Sequence, residues 1–334
     1  MNVKTLKYFI ATVAMTSIVC SCGKNSLETP APETTAAIEF SNVTTKATLD
    51  DIKKDGFGVW ALLDNETVTD ELILNNAEVT YNSEAGSWEY SPLRYWVDQS
   101  VFTFLAAYPN EGFTLDASNS SLNLTLSKTP SQDDYMVATN MTDTSVEGYS
   151  RTVDLQFKHI LTSVSLNIWR ENVKHNNDKI RIIKVTLGNI RKAGTYTSSS
   201  NDPWTPSNER LTLEKTYEGG SYDIGGAIVQ SDGTLITGGV PAEPFTEVML
   251  IPQTIDASNR VSLKVHYQLK MFDGEDKWED VELETELPYG TWEPNRRYTY
   301  NVVLSSVKDI AFYYIQTKIT PWGAPQVGGT IIIK

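Results

Sequence analysis

The stretch VSLKVHYQLKM, residues 261–271, puts Val261, Leu263, Val265, Tyr267, Leu269 and Met271 on one side of an extended chain. Ser262, Lys264, His266, Gln268 and Lys270 fall on the other. A helix would spread these apolar residues around its axis, whereas a period of two gives a strand with one buried and one wet face. Past Asp273-Gly274 the pattern resumes, with Val281, Leu283 and Leu287 set against Glu282, Glu284 and Glu286, which predicts a hairpin with the preceding strand. The same alternation occurs at Leu122, Leu124 and Leu126, at Val153, Leu155 and Phe157, and at Val164, Leu166 and Ile168. The best helical segment is the short piece from Leu49 to Lys54. Many short strands separated by Gly, Pro, Asn and Asp turns predict an all-β protein of sandwich type.

The first residues carry a different signal. Lys4 and Lys7 precede an apolar run from about Tyr8 to Val19, followed by Ser21 and Cys22, which is the form of a secretory signal peptide over residues 1–21. A run of roughly a dozen residues is too short to span a bilayer, which takes about 20. Val19-Cys20-Ser21-Cys22 resembles a lipobox: Ser21 supplies the small residue before the cut, so Cys22 is the expected lipidation site. Acylation there, palmitate included, would anchor the precursor in a membrane. Residues 22–37 are rich in Thr, Pro and Glu and read as a flexible tether. About 310 residues remain, enough for two domains of roughly 150, assigned to 38–175 and 176–334, with the boundary at ENVKHNND (171–178).

Charge and residue inventory exclude several classes of function. The formal charge is −14, and loss of Lys4 and Lys7 with the signal makes it −16. Such a surface repels phosphate backbones, so nucleic acid is not an expected partner. No cysteine follows Cys22, which removes disulfides, thiol nucleophiles and thiolate metal sites. The three histidines, His159, His175 and His266, share no ligand spacing. Phosphate-binding glycine loops, G-x-S-x-G elbows and H-E-x-x-H pairs are absent. No metal, cofactor or catalytic residue is expected. The aromatics Trp88, Tyr90, Tyr95 and Trp96 read as core. Trp204, between prolines in NDPWTPSN (201–208), reads either as core or as an exposed ring that stacks on sugar.

Both ends of the mature chain look like strands. The C-terminus runs from Val327 through two glycines to Thr330, Ile331, Ile332, Ile333 and Lys334. Three consecutive isoleucines on a bare edge would invite aggregation, so they need a cover. That cover is either the chain's own sheet or the sheet of a neighbour entered by β-augmentation. At the other end Ile38 to Val43 reads as a first strand within residues 38–46, followed by Lys46-Ala47, a plausible cut for a protease of tryptic specificity.

Five segments in order, TKATLDDIKKDGFGVWALL (45–63), DDYMVA (133–138), LQFKHILTSVSLNI (155–168), EVMLIPQ (247–253) and WEPNRRYTYNVVL (292–304), resemble signature segments of fimbrillin family proteins. The resemblance implies two transthyretin-like β-sandwich domains and export as an outer-membrane lipoprotein. It further implies proteolytic removal of the first strand and donor-strand polymerisation into type V pili that serve adhesion or colonisation. Carried onto this chain, Cys22 is the lipid site, Lys46 and Ala47 flank the maturation cut, and 327–334 is the donor segment with Val327, Thr330, Ile331, Ile332 and Ile333. The family's best-studied maturation uses an arginine-specific protease, and position 46 is lysine. Two other readings remain open: a monomeric surface lipoprotein that binds glycans through loop aromatics such as Trp204, and a carbohydrate-active enzyme using two of the many carboxylates. Expected partners are other pilin subunits, the outer membrane, and host or microbial surface glycans or proteins.

Overall fold

The computed structural model describes residues 36–44, 49–127, 134–171, 179–221, 224–270, 277–305, 312–322 and 329–333. Strands dominate, with one short α-helix among the described residues, Leu49–Asp55, where the sequence places its best helical segment. Ser262–Lys270 pairs antiparallel with Trp278–Glu286, and its burial alternates residue by residue as the apolar period requires. Val261, Leu263, Val265, Tyr267 and Leu269 are all fully buried.

The first half is built on a six-stranded sheet in the spatial order Lys158–His159, Met136–Asp143, Val101–Tyr108, Phe57–Asp64, Glu71–Asn82, Ser87–Tyr90. Its central strand Phe57–Asp64 is buried from Phe57 to Leu63 without alternation. The reason is that both faces are covered. Phe57, Val59 and Ala61 face one core with Phe102 and Phe104, whereas Trp60 faces another with Leu105 and Leu122.

The second half stacks two sheets around one large core. One sheet has Arg210–Ser221, Lys179–Arg191, Ser262–Lys270 and Trp278–Glu286 in that order. The other runs Leu235–Gly238, Gly226–Val229, Thr162–Glu171, Arg296–Leu304, Phe312–Pro321, Gly329–Ile333, with Ala242–Leu250 also paired to Thr162–Glu171. Strand Thr162–Glu171 thus lies inside the second-half sheet, paired in parallel with Arg296–Leu304. The expected boundary near residue 175 falls at 172–178, outside the described residues. The sheets change earlier, between Lys158–His159 and Thr162–Glu171, because Val164, Leu166 and Ile168 are committed to the second core.

A further sheet joins the halves. Gly194–Thr197 pairs with Trp204–Pro206 on one side and with Ser121–Leu126 of the first half on the other. The core beneath it draws on Trp60 and Leu105 from the first half and on Tyr196, Trp204 and Ile251 from the second. Residues Ala36 to Lys334 accordingly form one compact unit.

Candidate functional site: the first-strand slot and the tail strand

The first strand, Glu39–Thr44, runs parallel to Thr152–Gln156. Ile38, Phe40 and Val43 point inward and are 0%, 4% and 5% exposed. The spacing widens from two to three between Phe40 and Val43 because the register slips by one residue between Ser41 and Thr44, which turns Val43 back into the core. Phe40 sits edge-on against Tyr90, Phe104 and Phe57, with ring centroids 5.3, 6.1 and 6.3 Å away.

The residues just before the strand are held on the opposite side. Ile38 N–H donates to the Arg94 carbonyl at 2.8 Å, and Trp96 N–H donates to the Ala36 carbonyl at 3.1 Å. The Tyr90 hydroxyl donates to the Ile38 carbonyl at 3.0 Å. Taking this strand away would uncover Phe57, Phe104, Val153 and Leu155 and leave two backbone edges facing an empty slot. Each inward side chain contributes about 1.5–3 kcal/mol of apolar burial. Thr44 and Leu49 flank the expected cut; Lys46 and Ala47, like Cys22, lie outside the described residues.

The tail strand, Gly329–Ile333, pairs antiparallel with Phe312–Pro321. Thr330 stands opposite Lys318, Ile331 opposite Thr317, Ile332 opposite Gln316 and Ile333 opposite Ile315. It is the last strand of its sheet, with no further strand beyond it among the described residues. Val327 lies outside the described residues. The tail therefore pairs with its own sheet in this chain, and among the described residues it does so through one backbone edge.

The fold has known relatives. The model of the family described as fimbrillin-like matches residues 45–322. The chain belongs to the fimbrillin-like family. Among solved structures, this fimbrillin-like chain is similar to a fimbrial protein from Bacteroides vulgatus, at 19% identity and a TM-score of 0.63, covering 86% of this chain and 99% of that one. A candidate cell adhesion protein from Bacteroides uniformis matches at 16% identity and a TM-score of 0.49, over 86% and 99% of the two chains. No curated protein matches the chain.

Elsewhere the fimbrillin-like chain departs from its sequence reading in instructive ways. Trp204 is not an exposed loop ring: it is 4% exposed, lies 5.5 Å from the Tyr196 ring, and donates its indole N–H to the Ile160 carbonyl at 2.6 Å. The short strand Trp204–Pro206 turns it into the joining core. Trp96 is buried as expected, with its N–H donated to the Arg151 carbonyl, but Tyr95 is 51% exposed. A cleft of about 730 Å³ opens beside Trp204, walled by Pro252, Pro294, Pro321 and Trp292. Its tryptophan N–H groups are already used, that of Trp292 on the Tyr300 hydroxyl at 2.8 Å, and Glu293 pairs with Arg296 at 3.5 Å.

One arrangement has no signature in the sequence. His159 is 2% exposed, with Nδ1 2.8 Å from the Asp134 carboxylate and its ring stacked 4.2 Å from Trp322. Arg297 lies 5.5 Å from the same indole. Trp322 directly follows the strand Phe312–Pro321, so this stack holds the end of that strand against His159 of the first half. Four residues from separate parts of the chain meet there, and no local spacing announces them. Among the described residues no group of His, Cys, Asp and Glu could hold a metal, and no helix is long and apolar enough to cross a membrane.

Proposed function

We propose that this chain is a structural subunit of surface fimbriae. It is exported as a lipoprotein through Cys22, cut between Lys46 and Ala47 so that the first strand leaves, and polymerised when the tail of one copy fills the vacated slot of the next. Its place is the outer membrane as a precursor and the extracellular fimbrium as a polymer, and its role is adhesive rather than catalytic. The observation that carries this reading is the pairing of two terminal strands of opposite character. The first strand is paired with Thr152–Gln156 in an apolar slot, residues 36–38 just before it are bonded to Arg94 and Trp96, and it lies directly upstream of the cut; among the described residues the tail is paired on one edge.

Fit in the slot supports it. Ile331 and Ile333 are two residues apart, as Ile38 and Phe40 are, so one face of an incoming tail would present two branched apolar groups to the positions of Ile38 and Phe40. A tail that gives up its edge on Phe312–Pro321 would gain the edge of Thr152–Gln156 and, at one end, the backbone groups of Arg94 and Trp96. Because donor and acceptor are different surfaces of the same chain, the contact does not close, and a filament results.

The test is limited trypsin digestion of the soluble chain without residues 1–22, followed by N-terminal sequencing and electron microscopy. The expected result is a new terminus at Ala47 and filaments that vanish when residues 327–334 are deleted. A chain verified as cut at Lys46 that stays monomeric would overturn the reading.

A further inference from the structure

Of the three side chains that point inward at the first strand, Ile38, Phe40 and Val43, only Phe40 is aromatic. The slot answers it in kind. Tyr90, Phe104 and Phe57 all meet the Phe40 ring edge to face. In such contacts the positive edge of one ring lies against the negative face of another, which adds to what burial alone supplies.

These three rings are not free to close on a smaller group. Phe57 packs edge-on against Trp88 at 5.1 Å and Phe157 at 5.3 Å. Phe104 is stacked on Phe102 at 6.0 Å and meets Trp96 at 5.9 Å. Tyr90 is pinned through its hydroxyl, which donates to the Ile38 carbonyl and accepts from the Arg94 N–H at 3.2 Å. The bond from Arg94 does not depend on the first strand. Close-packed surroundings relax only in part around a lost volume, so a pocket held to the size of a phenyl ring stays underfilled when a smaller side chain enters.

The chain's own donor segment carries no ring. Residues 327–334 read VGGTIIIK, so in any register the largest apolar group it can set at the position of Phe40 is an isoleucine. Isoleucine branches at Cβ and ends short of the far carbons of a phenyl ring. Backbone pairing in the slot is the same for every donor, which leaves the choice among donors to the side chains.

We propose that the pocket formed by Tyr90, Phe104 and Phe57 is the specificity site of the slot and takes an aromatic side chain from the incoming strand. The preferred donor is then the strand of a different subunit, with an aromatic residue two positions after a branched aliphatic one as in Ile38 and Phe40, and a second copy of this chain is the weaker donor. A buried aromatic anchor in a preformed pocket is the kind of contact that dominates binding. The proposal rests on the polymer reading above and names the partner chemistry that reading leaves open.

The chain without residues 1–22, cut after Lys46, is titrated with labelled peptides and read by fluorescence anisotropy. One set is residues 36–44 and its Phe40→Ile variant, which share a register. The other is residues 327–334 with its Ile331→Phe and Ile333→Phe variants, which put a ring at one or the other inward position. Phe40→Ile is expected to weaken capture about tenfold, a difference of about 1.4 kcal/mol, and one of the two phenylalanine tails is expected to bind about tenfold more tightly than the natural tail. Equal capture within either set overturns the specificity site and leaves the polymer reading intact. Capture of the first-strand peptide but of no tail peptide, or capture of none at all, removes the polymer reading and this inference with it.

Discussion

At the scale of single residues, Trp204 shows where sequence reasoning loses its grip. Two prolines three residues apart mark a loop, and a strand of three residues is too short to display a period, so nothing local says that the indole is buried. The deciding facts are a carbonyl at Ile160 and a ring at Tyr196 that only the fold brings near. Trp204→Ala is therefore expected to cost about 3–5 kcal/mol of stability in urea denaturation, with Trp204→Phe losing less because a phenyl ring still fills most of the site while the hydrogen bond and part of the ring go. Ligand binding lost by the alanine variant at unchanged stability would contradict the core assignment. The buried tyrosines give a pH prediction. Burial pushes the Tyr267 hydroxyl up from 10 to about 12 and moves those of Tyr196 and Tyr300 upward as well. A pKa raised in the folded state means that the unfolded chain releases its proton first, so the stabilisation is whole below pH 10 and is lost as pH rises from 10 through 12. Phenolate absorbance should rise together with loss of near-ultraviolet circular dichroism in that window; tyrosines that titrate freely near 10 in a folded protein would show that they are exposed.

Among elements, the strands that alternate were legible and those that do not were legible only as apolar runs. Ser262–Lys270 has one wet face, so its period survives in the sequence. Phe57–Asp64 lies between two cores, and double coverage erases the period. The ends of the chain were legible as strands because a run of isoleucines and the Ile38 to Val43 segment have high β-propensity. The pairing of the first strand was not, since a partner more than a hundred residues away leaves no trace beside Ser41 or Val153. The slot gives the element-scale prediction. A labelled peptide of residues 327–334 should be captured by the chain after cleavage at Lys46 and not before, because the first strand occupies the edge of Thr152–Gln156 until then. Replacing Ile331 and Ile333 by Asp in the peptide would place carboxylates against Phe57 and Phe104, and capture should fall by at least a hundredfold, a difference of roughly 2.7 kcal/mol, read by fluorescence anisotropy. Equal capture of both peptides would mean that the slot does not read side chains.

For the whole molecule, the question is whether the halves fold as two bodies or one. Length alone favours two, and a split near residue 175 follows from that prior. The joining sheet argues for tight coupling: Gly194–Thr197 completes a sheet begun by Ser121–Leu126, and the core beneath it takes Trp60 from one half and Trp204 from the other. Neither half can bury that core alone. A fragment ending at residue 175 would leave Trp60, Leu122 and Leu124 facing water and would strand Thr162–Glu171 without Arg296–Leu304, its partner in the second-half sheet. The whole chain is thus expected to unfold in one transition, with tryptophan fluorescence and far-ultraviolet circular dichroism coincident along a denaturant series. The fragment should bind a hydrophobic dye and show no cooperative melt. Two resolved transitions in the whole chain would instead mean that the joining core opens first, leaving each half standing on the cores it does not share; in a filament under tension, that core would then be the place where a subunit yields.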